Sequence, residues 1–142
     1  MKVYADTSFL ISLYSPDANS VAAAGVMQSS KGECYITELS ELEMMNALQL
    51  RVFRAELTAA QTAAAWADFE TDTRHGIFRL RPLSDAIFER ARQLCRRTTA
   101  RLGIRTSDLL HVASALDLGV EWLYSFDQRQ RKLAHAVHLK LN

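Results

Sequence analysis

Short apolar runs, each followed by a stretch long enough for one or two helices, recur along this chain: Val3-Tyr4-Ala5, Cys34-Tyr35-Ile36-Thr37, Ile77-Phe78-Arg79-Leu80 and Trp122-Leu123-Tyr124. Strands this short, alternating with helices, bury both faces when they form a mainly parallel sheet between helical layers. The pattern therefore predicts an α/β fold. Only five glycines and two prolines punctuate the 142 residues, as long helices with short connections require. Helical segments are expected from Phe9 to Tyr14 and from Asn19 to Ser30. Others run from Ser40 to about Ala55 behind a Ser-x-x-Glu cap, from Thr58 to about Thr73, and from Ser84-Asp85 towards Gly103. Thr106-Ser107-Asp108 caps a helix over Leu109 to Leu118, a short basic helix follows Asp127, and Val137-His138-Leu139 is a candidate fifth strand. No repeat, low-complexity tract or linker interrupts this order, so one domain over residues 1–142 is expected.

Composition narrows the class. Apolar residues make up 49% and charged residues 23%, the balance of a chain that folds around a core rather than staying disordered. Seventeen basic against sixteen acidic residues give a net charge of +1, which supplies no global attraction to nucleic acid. Locally, Arg96, Arg97, Arg101 and Arg105 crowd one stretch, and Arg129, Arg131 and Lys132 another. Either cluster alone reads as a solvated helix face, yet both are compatible with a phosphate track. Cys34 and Cys95 fit neither a disulfide framework nor a zinc knuckle, which points to a reducing cytoplasm, and both read as small core residues. Trp66 and Trp122, set among apolar neighbours, also read as core. No apolar run reaches the roughly 18 residues of a membrane span, and Asp6 interrupts the one stretch resembling a signal sequence.

Ligands of open α/β sheets sit beyond the carboxyl ends of the strands. Asp6 follows the first strand directly, Glu43 lies one turn into the helix after the second, Asp108 starts the helix before the fourth, and Asp127 follows that strand. Singly, Asp6, Asp108 and Asp127 occupy helix starts, where aspartate is favoured as a cap. Glu43 has Leu39, Asn46, Ala47 and Leu50 as helical neighbours and no basic residue within a turn, so its carboxylate requires a partner from elsewhere. Glu41 is the alternative acid. Four converging carboxylates demand a counter-charge, and a hard divalent cation, Mg²⁺ or Mn²⁺, suits an all-oxygen site and phosphoryl chemistry. Thr7, Ser8, Asn46 and Ser125 stand beside these acids as supporting groups. His111, one turn past Asp108, reads as a hydrogen-bonded helix histidine rather than a ligand.

The run Asp6-Thr7-Ser8 after an N-terminal strand resembles the opening of a PIN domain. Glu43-Met44-Met45-Asn46-Ala47-Leu48, Ser107-Asp108-Leu109-Leu110-His111-Val112-Ala113 and Ser125-Phe126-Asp127 are similar to that family's later motifs, in order and across essentially the whole chain. Ser125 stands where threonine is commoner. The size matches the VapC-type toxins of bacterial toxin–antitoxin pairs. The resemblance implies a PIN-like α/β/α sandwich on about five strands and a Mg²⁺- or Mn²⁺-dependent endoribonuclease. Asp6, Glu43, Asp108 and Asp127 would be its catalytic and metal-binding acids. Arginines 96, 97, 101, 105 and 129 would be RNA contacts. It further implies a homodimer and a small antitoxin whose C-terminal segment covers the acidic pocket, with no membrane contact and no direct DNA binding by this chain alone. Other readings remain at this stage. A haloacid-dehalogenase site wants Asp-x-Asp where this chain has Asp6-Thr7-Ser8, and a receiver domain wants an acidic pair and a late lysine that are not evident. A degenerate PIN-like RNA-binding or scaffolding module is the non-enzymatic alternative.

Overall fold

The computed structural model describes all 142 residues. Its elements are β1 (Lys2–Ala5), α1 (Thr7–Tyr14), α2 (Ser20–Ser29), β2 (Glu33–Thr37), α3 (Glu38–Phe53) and α4 (Ala59–Arg74). They continue with β3 (Phe78–Arg81), α5 (Asp85–Leu102), α6 (Thr106–Asp117), β4 (Trp122–Tyr124), α7 (Gln128–Ala136) and β5 (Lys140–Leu141). The five strands form one sheet in the order β3-β2-β1-β4-β5, and every pairing is parallel.

The period-2 alternation of strand side chains divides the core in two. Val3, Ala5, Cys34, Ile36 and Tyr124 point to the face covered by Phe9, Leu10, Met44, Leu48 and Phe69 of α1, α3 and α4. Tyr4, Tyr35 and Leu123 point to the opposite face, under Ile87, Leu94, Val112 and Leu133 of α5, α6 and α7. The result is three layers. β1 lies centrally, with β2 on one side and β4 on the other. The two halves of the chain thus depart in opposite directions, and the carboxyl ends of β1 and β4 flank the crevice this topology opens.

Several local expectations shift. Helix α3 begins immediately after β2, with Thr37 as N-cap and Ser40 at the third position, so Ser40 is not the cap. Arg105 is the N-cap residue of α6, and Asp108 sits at its third position instead of preceding it. Residues 137–139 form no strand. His138 turns with φ 65°, and β5 starts at Lys140. Cys34 is buried as expected, but Cys95 is exposed on α5, whose buried stripe runs through Ile87, Ala91, Leu94 and Thr98. Trp66 and Trp122 pack partly buried against the core. No helix is long and apolar enough to cross a membrane.

Candidate active site

β1 ends at Ala5 and hands Asp6 to the crevice. The Asp6 main-chain N–H donates to the Tyr124 carbonyl at 3.1 Å, so β1 and β4 fix its position together. Its side chain caps α1, accepting from the Phe9 N–H at 2.9 Å. Oδ1 also accepts from the Ser8 hydroxyl at 2.7 Å, and Oδ2 accepts from the Ser125 hydroxyl. Ser8 and Ser125 are themselves held by the loop after β4: Ser8 Oγ accepts from the Phe126 N–H, and Ser125 Oγ from the Asp127 N–H. Burial pushes the Asp6 carboxyl up from the ordinary aspartate range, opposed by His111 and by the three donors. Asp6 is therefore both a helix cap and a buried acid facing the crevice.

Asp127 caps α7, its Oδ1 accepting from the Gln130 N–H at 3.0 Å. Oδ2 accepts from the Arg105 guanidinium at 2.8 Å. Asp108, only 2% exposed, takes the other side of the same guanidinium through Oδ2 at 3.1 Å and Oδ1 at 3.2 Å, and accepts from the Arg105 main-chain N–H at 3.0 Å. Arg105 thus bridges two acids from two helices.

Glu43 reaches the site from α3. Its Oε1 accepts from the Thr7 hydroxyl at 2.9 Å and pairs with His111 Nε2 at 2.5 Å. His111 is buried, and its Nδ1 lies 2.8 Å from the Tyr4 hydroxyl, which also meets Thr37 Oγ1 at 3.0 Å and Ser40 Oγ at 3.2 Å. Burial opposes charge on the imidazole, but the Tyr4 oxygen, Glu43 and Asp6 outweigh it and raise its pKa to about 10. A protonated ring donates from both nitrogens, which matches acceptors on both sides. Burial likewise opposes charge on Glu43, yet His111, Thr7 and Arg105 hold its carboxyl below the usual range. One buried network therefore ties β1, α3 and α6 together beneath the acids they carry.

Asp6, Thr7, Ser8, Glu43, Arg105, Ser107, Asp108, His111, Asp127 and Gln130 line a cleft of about 60 Å³ with no apolar side chain, room for a cation and a few waters. With all four acids ionised, Arg105 and protonated His111 leave two negative charges uncompensated, the charge of one divalent ion. The donors are all oxygen, as Mg²⁺ and Mn²⁺ prefer. No three acidic, histidine or cysteine side chains form a ready-made cage, but Mg²⁺ keeps several waters and is commonly held through only one or two carboxylates. The donor chemistry fits such an ion. A larger groove between α3 and α4, about 210 Å³ and lined by Met45, Leu48 and Trp66 among others, carries no titratable side chain.

Of the residues singled out from sequence, Asp6, Thr7, Ser8, Glu43, Arg105, Asp108 and Asp127 line this cleft, and Ser125 lies behind Asp6. Asn46 does not: it is exposed, because α3 buries Ser40, Met44 and Leu48 rather than the Glu43–Asn46–Leu50 face. Glu41 lines a separate depression with Glu70 and Arg74. Arg96, Arg97, Arg101 and Arg129 are exposed outside the cleft, with Arg96 3.8 Å from Glu89. Arg131 holds the Ser125 carbonyl and the C-terminal Asn142. Gln130 and Ser107 were not anticipated. For Gln130 the available signal was its place three residues after the Asp127 cap, where a capping-box side chain sits. Here Ser125 satisfies the Asp127 N–H, which leaves the Gln130 side chain to the cleft.

The sequence profile described as PIN domain matches residues 3–136. No curated protein matches the chain. Among solved structures, VapC20 of Mycobacterium tuberculosis, a sarcin–ricin loop cleaving toxin, superposes with a TM-score of 0.72 at 20% identity, covering 92% of this chain and 93% of that one. FitAcB from Neisseria gonorrhoeae gives 0.72 at 15% identity, over 98% and 95% of the two chains. VapBC2 from Rickettsia felis, bound to a promoter DNA fragment, gives 0.68 at 14% identity over 100% and 98%. At these identities the likeness is one of fold.

Proposed function

The chain belongs to the PIN domain family, whose members are generally nucleases, and from that premise we propose that it is a divalent-metal-dependent endoribonuclease acting as the toxin of a toxin–antitoxin pair. The observation that carries this reading is the convergence of Asp6, Glu43, Asp108 and Asp127, from four separate segments, on one cleft without apolar lining. Asp6, Asp108, Asp127 and Glu43 are the residues that would hold Mg²⁺ or Mn²⁺. Such an ion, held there, would supply Lewis-acid activation of water and neutralisation of charge on the phosphate.

The chain's own residues do the rest. Ser8, Ser125 and the Phe9 N–H orient the Asp6 carboxylate. Thr7 and His111 hold Glu43 by Oε1, which leaves Oε2 for the ion or a water in the cleft. Arg105 supplies the guanidinium nearest the acids, a group suited to a phosphodiester. Arg96, Arg97 and Arg101 of α5 and Arg129 of α7, exposed outside the cleft, would extend the contacts to RNA phosphates.

The same uncompensated negative charge suits an antitoxin that inserts a basic side chain into the cleft, as the toxin–antitoxin complexes among the structural relatives invite. The active species in this reading is a cytoplasmic homodimer, and promoter DNA is contacted by the antitoxin. The test is induction of the chain in bacteria, with and without Asp6→Asn, followed by mapping of new RNA 5′ ends. Growth arrest and recurrent cuts that depend on Asp6 are expected. Cuts that persist in Asp6→Asn, or none in the parent, overturn the assignment.

A further inference from the structure

Two side chains that are not acids, Arg105 and Gln130, meet the acid cluster in the cleft. The Arg105 guanidinium occupies the space between Asp108 and Asp127, using the oxygens that a divalent cation would take. It is also half exposed, at 49%, so it can leave without unpacking the core. Gln130 is only 2% exposed and lines the same cleft, yet its Nε2 has no hydrogen-bond partner. Buried donors are rarely left unmade, because desolvation is then uncompensated. Nε2 is itself buried, so it meets an acceptor oxygen only when the side chain turns towards the cleft. The two residues bracket one carboxylate: the Gln130 main chain binds Asp127 Oδ1 and Arg105 binds Oδ2.

We infer that Arg105 is the resident counter-ion of the free cleft and that, once a divalent cation takes Asp108 and Asp127, it turns with Gln130 to hold an RNA phosphate oxygen. This rests on the nuclease reading above. A guanidinium and a hard cation compete for the same lone pairs, so they exchange. The freed fork of N–H donors matches phosphate geometry, and the Gln130 amide adds a neutral donor that does not compete with the metal.

The test measures Mn²⁺ binding calorimetrically on the RNA-free protein. Binding of a short fluorescein-labelled single-stranded RNA is followed by anisotropy in millimolar Ca²⁺, under conditions where gels show the RNA intact. Arg105→Ala should tighten Mn²⁺ binding roughly fivefold by removing a competing ion pair. It should weaken RNA binding roughly tenfold and lower the salt slope by about 0.7, one phosphate contact on a single strand. Arg105→Lys, which keeps charge but not the fork, should return Mn²⁺ affinity towards the parent value and recover only part of the RNA affinity. Gln130→Met should leave Mn²⁺ affinity unchanged and the melting temperature equal or higher, while RNA binding falls severalfold. Unchanged or weaker Mn²⁺ binding in Arg105→Ala overturns the inference, since the arginine then only staples α6 to α7. Unchanged RNA binding in both Arg105→Ala and Gln130→Met overturns it too. A parent protein that binds neither Mn²⁺ nor RNA instead overturns the nuclease reading itself, and the inference with it. Should Arg105→Ala fail to fold by circular dichroism, Arg105→Gln takes its place.

Discussion

Replacing Glu43 with glutamine in metal-free buffer isolates the ionic part of the network under the acids. His111 has a folded pKa near 10 against 6.5 for the free side chain. A group raised in this way stabilises the fold fully below the unfolded value and loses that contribution as pH rises through the folded one. The whole span is worth up to about 5 kcal/mol. Glu43 is one of three groups that raise His111, and its side chain is 32% exposed, so solvent screening reduces its share to about 2 kcal/mol at pH 7. Urea unfolding from pH 6 to 10 in EDTA measures this. In the parent, His111 retains a proton that the unfolded chain has released, so stability falls by about 1.4 kcal/mol per pH unit between the unfolded value of 6.5 and the folded value of about 10. In Glu43→Gln the imidazole gives up its proton earlier. The gap between the two proteins should therefore close by about 1.4 kcal/mol per unit between the two imidazole pKa values and stay flat elsewhere. A gap constant from pH 6 to 10 refutes an ionic His111–Glu43 pair and leaves a neutral hydrogen bond in its place.

Asp6→Asn retains a good helix cap and removes a charge that burial disfavours, so its melting temperature in EDTA should match or exceed the parent's while metal-dependent RNA cleavage disappears; an unfolded variant would show that the ionised cap is indispensable. Mn²⁺ at about a hundred times its dissociation constant should stabilise the parent by about 2.7 kcal/mol in thermal melts, and no shift at millimolar metal counts against a cation site. Gly32→Ala would set a Cβ 2.5 Å from the Met1 carbonyl oxygen, which accepts the Glu33 N–H; prising apart the start of β1 and β2 should cost about 1–3 kcal/mol, read by urea midpoint. Phe69→Ala empties a fully buried site packed on Tyr14, Trp66 and Phe78 and should cost about 3–5 kcal/mol by the same assay.

Short apolar runs between helix-length segments indicated, without coordinates, an α/β chain with a mainly parallel sheet, and the motif resemblance supplied the α/β/α sandwich. The positions of Asp6 and Asp127 just after two strands placed both at the carboxyl edge of the sheet, because strand direction is a local property of the backbone. The adjacency of β1 and β4 that brings them together belongs to the tertiary structure. Which face of each helix docks is not local. α3 carries apolar residues around much of its circumference, Leu39, Leu42, Met44, Met45 and Leu48 among them, so periodicity alone could not choose between the Met44–Leu48 stripe it buries and the Asn46–Leu50 side it exposes. The partner of Glu43 lies 68 residues away, and the arginine that matters at the cleft was one among a run of similar ones. Pairings of that kind are decided by packing and desolvation, which charge buried groups for every missing partner, and these terms exist only once the layers have closed on one another.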